Sequence, residues 1–315
     1  PLFCRALAER TGLDAVLPMN SGAEAVETAI KAARRWGYDV KGITPDRAEI
    51  IVCAGNFHGR TTTIISASTE EEYRRGFGPF TPGFVVVPYG DLGALAAAIR
   101  PETCAFLVEP IQCEAGIVMP PDGYLAAAAS LCRANRVLLI ADEIQTGLGR
   151  TGQWFACEHE GVQPDVYVLG KALSGGCYPV SAVVGRAEVM DVFTPGSHGS
   201  TFGGSPLACA IALAALDVIE DEGLVARSAE FGRVLLDALA GAPRPPVRDI
   251  RGRGLLVGIE LDRPARPYCE RLMQRGLLCK ETHERVIRLA PPLVIERAEV
   301  EWLAREVVET LGEAL

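Results

Sequence analysis

Apolar residues along this chain gather into short, nearly continuous runs, separated by stretches in which they recur every three or four positions. The runs at 49–54, 84–87, 104–109, 136–141, 166–169 and 180–185 lack the polar/apolar alternation of a strand with one wet face. Uninterrupted runs of this length predict strands covered on both sides. Helical periodicity between them predicts helices over 22–35, 91–100 and 124–135. Strands and helices taken in turn predict an α/β layer fold with a mostly parallel central sheet.

The pattern changes beyond a helix that starts near Pro206. A long helical stretch at 224–239 runs into the turn GAPRPP, followed by a strand pair at 247–251 and 255–261. A helix at 267–275, a strand at 286–289 and a terminal helix at 298–311 complete a small α+β domain. The expected division is therefore a large α/β domain over 1–222 and a small C-terminal domain over 223–315. No internal repeat interrupts either.

Composition narrows the function classes. The 315 residues include 31 Lys+Arg against 40 Asp+Glu, a formal charge of −9. That balance argues against nucleic acid or an anionic membrane as the partner. A single RGRG between two strands in so acidic a chain reads as a turn. An apolar fraction of 49% supports a sizeable core. The longest apolar run, 207–216, is too short to span a bilayer and ends at Asp217. Ten cysteines are scattered without a CxxC pair, and His58, His159, His198 and His283 show no metal-site spacing. The expectation is a reduced, metal-free, cytoplasmic protein. The chain opens at Pro1 with no initiator Met, basic n-region or leading apolar stretch, so neither a signal peptide nor a natural start is expected there.

In an open α/β sheet, ligands gather at the carboxyl ends of strands, which directs attention to polar residues that follow apolar runs. In VLLIADEIQTGLGRTG the run ends in Asp142. A carboxylate there either caps a turn or, being costly to bury alone, awaits a cation. Lys171 follows the run at 166–169 in VYVLGKALSGG and is one of four lysines, with Lys31, Lys41 and Lys280. Its apolar flanks set it apart from an ordinary surface lysine. A desolvated amine has a lowered pKa and can form a Schiff base with a carbonyl. A strand-end Asp beside a strand-end Lys suggests pyridoxal phosphate, with Asp142 on the pyridine nitrogen and Lys171 bound to the aldehyde carbon. A phosphate site is available where Asn20-Ser21-Gly22-Ala23 opens a helix, although Ser21 with Glu24 is also an ordinary capping box. A second candidate is the hydroxyl-rich GSHGSTFGGSPLAC, with Ser200 and Thr201.

The segments MNSGAEAVETAIK, NFHGRTTTIIS, FLVEPIQCEAGI, LLIADEIQTGLGRTG, VLGKALSGG, GSHGSTFGGSPLAC and VIRLAPPLVI occur in the order found in class-III aminotransferases. Over almost its whole length the chain resembles that family, and GLLCKETHE with PDVYVLGKALSGG places it nearest the ornithine branch. The resemblance implies a fold-type I pyridoxal-phosphate transferase that moves the δ-amino group of L-ornithine to 2-oxoglutarate by a ping-pong route. Acetylornithine or 4-aminobutyrate as donor, and a truncated silent paralogue, are the alternatives.

Residue by residue, the resemblance implies that Lys171 binds the cofactor and moves the substrate proton, and that Asp142 pairs with the pyridine nitrogen. Gln145 is the expected partner of the ring hydroxyl oxygen, Phe57 stacks on the ring, and Ser21, Gly22 and Ala23 bind the phosphate. Ser200 and Thr201 are expected beside the phosphate, with Thr201 reaching that of a neighbouring subunit in a homodimer with a shared active site. Arg60 takes the α-carboxylate of ornithine. Arg288 takes that of 2-oxoglutarate and is covered by Glu114 in the first half-reaction. Against the family pattern, Cys113 stands for Gly beside Glu114, Ser205 stands for Asn, and an N-terminal segment of the family is missing. Cys113 is thus expected to disturb the Glu114 gate.

Overall fold

A computed structural model describes residues 1–242 and 245–313. The chain forms two compact units. The first comprises Pro1–Pro110, Pro120–Gln145 and Cys157–Asp217, and the second Ile111–Met119, Thr146–Ala156 and Val218–Leu315.

In the first unit, α1 (Leu2–Thr11) leads through β1 (Ala15–Met19) into α2 (Gly22–Trp36) and β2 (Glu49–Cys53). Two short helices, α3 (Thr62–Ser66) and α4 (Glu71–Arg74), precede β3 (Phe84–Val87), α5 (Leu92–Ala98), β4 (Thr103–Val108) and α6 (Tyr124–Ala134). Then follow β5 (Leu138–Asp142), β6 (Val166–Leu169), β7 (Ser181–Gly185), α7 (Ala187–Met190) and α8 (Pro206–Asp221), whose last turn crosses the division between units. The seven strands lie in the order β1-β7-β6-β5-β4-β2-β3. The block from β3 through β6 is parallel, β7 pairs antiparallel with β6, and β1 pairs antiparallel with β7, so β7 alone runs against the rest.

Alternation along each strand explains the uninterrupted apolar runs. Ile50, Val52, Ala105, Leu107, Leu138, Ile140, Val166 and Val168 share one face, packed against Ala25, Val26, Ala29, Ile30 and Ala33 of α2. The intervening Ile51, Cys53, Phe106, Val108, Leu139, Ala141, Tyr167 and Leu169 are buried as well. With both faces covered, each Val or Ile taken from water contributes about 1.5–3 kcal/mol. At the sheet edge, β1 carries Pro18, which has no N–H to donate and is tolerated there.

The second unit contains α9 (Leu224–Leu239), β8 (Val247–Arg253), β9 (Leu256–Leu261), α10 (Arg266–Gln274), β10 (Lys280–Thr282), β11 (Val286–Leu289) and α11 (Arg297–Leu311). Its sheet is antiparallel, ordered β10-β11-β9-β8. Within the turn GAPRPP, Pro243 and Arg244 lie outside the described residues.

A contiguous division near residue 222 differs from this interleaved arrangement, and local packing explains the difference. Ile111, Cys113 and Ile117 form a small apolar cluster with Leu256. Arg251 donates to the carbonyls of Gly116 at 2.8 Å and Ile117 at 3.0 Å. Arg150 donates to Leu255 O at 3.0 Å, and its own carbonyl accepts from Ser228 Oγ at 2.9 Å. Both inserted segments thus spend their side chains and carbonyls inside the second unit.

Among the described residues, no helix is long and apolar enough to cross a membrane, and no cluster of His, Cys, Asp or Glu could hold a metal ion.

In the second unit α9 runs close to the β8–β9 turn, where a Cβ added to Gly232 would sit 2.3 Å from Gly254 O. That contact is backbone and cannot move aside. Gly232→Ala should therefore destabilise the protein by about 1–3 kcal/mol despite alanine's better helix propensity. An unchanged thermal midpoint would contradict this packing.

Candidate active site

The polar residues expected to carry chemistry in the first unit follow the carboxyl ends of its parallel strands. After β2 come Phe57 and His58, after β4 comes Glu109, β5 ends in Asp142, and Lys171 follows β6. β2 is flanked by β3 on one side and β4 on the other, so the chain reverses its direction of progress at this point. Such a reversal opens a crevice above the strand ends.

Asp142 is 4% exposed. Its Oδ2 accepts from His58 Nδ1 at 2.7 Å, and its Oδ1 accepts from the Ile144 N–H at 3.1 Å. Burial alone would lower the His58 pKa, but the hydrogen bond and charge of Asp142, with the charge of Glu109, raise it above its ordinary value. Glu109 is buried and accepts from the Phe57 N–H at 3.0 Å. Burial drives its pKa up to about 8; the His58 charge opposes this, and the Asp142 charge adds to it. At neutral pH Glu109 therefore keeps its proton, and the Asp142 hydrogen bond favours the charged form of His58.

α2 begins with the capping box expected from Ser21 and Glu24. Ser21 Oγ accepts from the Glu24 N–H at 3.2 Å, and Glu24 Oε2 accepts from the N–H groups of Asn20 at 2.8 Å and Ser21 at 3.0 Å. Gly22 and Ala23, the first two helical residues, keep N–H groups with no intrahelical partner. An anion is favoured here by these donors and the helix dipole. A Cβ at Gly22 would meet the terminal Cδ1 of Ile144 at 2.9 Å, so Ile144 packs close to the start of the helix.

A cavity of about 410 Å³ is lined by Asn20, Ser21, Gly22, Lys171, Ser174 and Tyr178, among others. Lys171 is exposed on its wall, not desolvated as the apolar flanks suggested. The reason is local: the chain leaves β6 at Gly170, and Lys171, at φ 43°, starts a 3-10 turn that lifts it off the buried strand. A non-glycine residue in the left-handed region costs about 1–3 kcal/mol and marks a position that its surroundings over-determine. The Lys171 charge reaches Glu109, which ties the cavity to the buried cluster.

The remaining expected residues fall into two groups. In the first unit, Phe57 and Gln145 are half-buried and Arg60 is exposed. Ser200 Oγ accepts from Asn20 Nδ2 at 2.9 Å, so it is tied to the approach to α2 of its own chain, while Thr201 is exposed. In the second unit, Arg288 Nη1 donates to Glu114 Oε1 at 2.6 Å. Lys280 Nζ lies 3.6 Å from Glu114 Oε2, and Lys280 faces Arg288 across the β10–β11 pair. Cys113 leaves the Glu114–Arg288 pair intact: its side chain is buried and its Sγ donates to Ile111 O at 3.5 Å.

Sequence reading missed His58 and Glu109. A signal for Glu109 was present, because it ends an apolar run as Asp142 does. His58 was signalled only by adjacency to Phe57.

Comparison with known proteins gives one consistent result. A family profile described as aminotransferase class-III matches residues 2–311. The chain is 58% identical over 309 residues to an ornithine aminotransferase of Brevibacillus brevis, covering 98% of this chain and 77% of that one. It is 56% identical over 312 residues to the ornithine aminotransferase of Bacillus subtilis, covering 99% and 78%. Among solved structures, the ornithine aminotransferase of Toxoplasma gondii superposes with a TM-score of 0.97 at 48% identity over 98% of this chain and 75% of that one. An acetylornithine aminotransferase from Elizabethkingia anophelis gives 0.88 at 48% identity, covering 98% and 78%.

The buried cluster makes a signed prediction. Folded Glu109 keeps its proton to about pH 8, whereas an unfolded glutamate loses it near 4.5, so the folded chain binds more protons between these values. Stability must then fall as pH rises through that window, and His58, raised above its unfolded value, acts in the same direction above about pH 6.5. In the cofactor-free protein, Glu109→Gln should flatten the dependence of the thermal midpoint on pH between about 5 and 8. An undiminished slope would show that Glu109 is ionised in the folded state.

Proposed function

Because the chain belongs to the class-III aminotransferases, we propose that it is an ornithine δ-aminotransferase. It transfers the δ-amino group of L-ornithine to 2-oxoglutarate in two half-reactions and yields glutamate and glutamate 5-semialdehyde, which cyclises to pyrroline-5-carboxylate. The family is pyridoxal-phosphate-dependent, and the donor set of the first unit fits that cofactor. It has an exposed lysine amine for a carbonyl, a buried carboxylate for a pyridine nitrogen, and unpaired helix N–H groups for a phosphate. The observation that carries the reading is the placement of Asp142 and Lys171 at the ends of adjacent strands, with Lys171 on the same cavity as Ser21 and Gly22.

When bound, the cofactor supplies a carbonyl for amine exchange and a protonated ring that accepts electrons from the substrate carbon. In this reading Lys171 would hold the cofactor through its amine and, once freed, would serve as the base that moves the substrate proton. Asp142 would pair with the ring nitrogen, and His58 is hydrogen-bonded to its Oδ2. Glu109, with its pKa pushed up to about 8, is neutral at pH 7. Phe57 would stack on the ring, Gln145 would meet the ring hydroxyl oxygen, and Ser21, Gly22 and Ala23 would hold the phosphate with Ser200.

Substrate choice rests on two guanidinium groups, whose planar forks suit carboxylates. Arg60 takes the α-carboxylate of ornithine, so the distal amine is the one presented for transfer. Arg288 takes the α-carboxylate of 2-oxoglutarate, with Glu114 as its resting partner. A homodimer in which Thr201 serves the neighbouring subunit's phosphate is supported by the large apolar side chains exposed near it, Phe202 at 68% and Leu207 at 56%. Ten free cysteines support a reducing cytoplasm.

Borohydride reduction of the cofactor-loaded protein, followed by peptide mapping, should place the pyridoxyl label on Lys171. A label on another lysine refutes the assignment. With ornithine, acetylornithine and 4-aminobutyrate compared as donors, ornithine should give the highest kcat/KM, and preference for either of the others would overturn the substrate reading. Arg288→Ala should lower kcat/KM for 2-oxoglutarate by about 30-fold or more and spare the ornithine half-reaction, as expected when one partner of a charge-paired contact is truncated. Equal losses in both halves would remove Arg288 from this role.

A further inference from the structure

Arg60 is exposed, yet it makes no hydrogen bond or ion pair among the described residues. Three glutamates, Glu70, Glu71 and Glu72, stand in the nearby turn, and none pairs with it. Its partners are two rings: its Cζ lies 4.8 Å from the centroid of Tyr73 and 5.8 Å from that of Phe57. Those rings meet edge to face, with centroids 5.6 Å apart and planes at 72°. A cation held by ring faces spends none of its N–H donors.

The position of Tyr73 is itself secured. Tyr73 lies on α4, a single turn anchored by the next residue: Arg74 Nη1 donates to Ser68 O at 2.7 Å and Ser66 O at 3.3 Å. The Arg74 guanidinium also lies over the Phe80 ring at 4.2 Å. Adjacent residues thus divide the work, Arg74 fixing the turn and Tyr73 presenting its ring to Arg60 and Phe57.

Resting on the reading of Arg60 as the α-carboxylate residue, we propose that Tyr73 is its positioning residue. The ring holds the guanidinium beside Phe57 and away from the neighbouring acids, with its donors unspent for the carboxylate of an incoming amino acid. Tyr73 touches no reacting atom. Because its face and not its hydroxyl does this, phenylalanine should serve as well.

The test compares Tyr73→Leu, Tyr73→Phe, Arg60→Ala and the double variant Arg60→Ala/Tyr73→Leu in the cofactor-loaded protein. Tyr73→Leu should lower kcat/KM for ornithine by about 2- to 5-fold, the range for a partly exposed cation–π contact, and leave kcat/KM for 2-oxoglutarate unchanged. Calorimetric Kd for L-norvaline, which has the carboxylate but no δ-amine, should weaken by the same factor. Tyr73→Phe should restore both, and Tyr73→Leu should cost nothing further once Arg60 is alanine. If Arg60→Ala lowers ornithine kcat/KM but Tyr73→Leu does not, the positioning role is overturned and the carboxylate reading stands. If Arg60→Ala has no effect, the carboxylate reading itself fails. Equal loss in both half-reactions would mean that Tyr73 acts through Phe57 and would overturn the assignment to Arg60. Tyr73→Gln gives the same comparison if the leucine variant does not fold.

Discussion

A carboxylate at the end of a strand buried on both faces has no water to solvate it, and leaving it unanswered costs several kcal/mol. Asp142 is in that position, and much of the first unit is arranged around the answer. His58 faces it from the segment after β2, and the Ile144 N–H comes from its own turn. Glu109, one strand away, keeps its proton to about pH 8, chiefly because burial penalises its charge. The order of the sheet makes this possible, since β2, β4 and β5 are consecutive neighbours and bring all three groups to one end. Charge balance and strand order are thus two views of one constraint.

The same physics decides what the sequence made legible. Strands with both faces covered print themselves as unbroken apolar runs, so β3 and β6 were found to the residue and β2, β4, β5 and β7 within one or two. β1 escaped because it is an edge strand, half-buried and containing Pro18. β10 is too short to carry any periodicity. The interleaving of the units was invisible because residues 111–119 and 146–156 differ in no compositional way from their surroundings, and only Ile111, Cys113, Ile117 and Arg150 in space declare where they belong. Lys171 misled in its environment although not in its place: apolar flanks describe β6, while the left-handed residue after it turns outward.

The second unit handles charge differently. Lys280 and Arg288 are directly opposed on neighbouring strands, an arrangement that is unfavourable unless an anion sits between them. Glu114 touches both. Its two oxygens are divided between them, Oε1 on Arg288 and Oε2 beside Lys280. The first unit meets its electrostatic cost by withholding a proton from solvent, and the second by sharing one anion between two cations.

Ile144 connects two features that would otherwise be independent. Its N–H holds Asp142, and its Cδ1 is the atom that a side chain at position 22 would meet first, at 2.9 Å. One residue thus borders both the buried carboxylate and the N–H groups that open α2. What lies between the two polar ends is hydrocarbon, so a molecule held at both ends passes over an apolar bridge whose terminal methyl can yield to its shape.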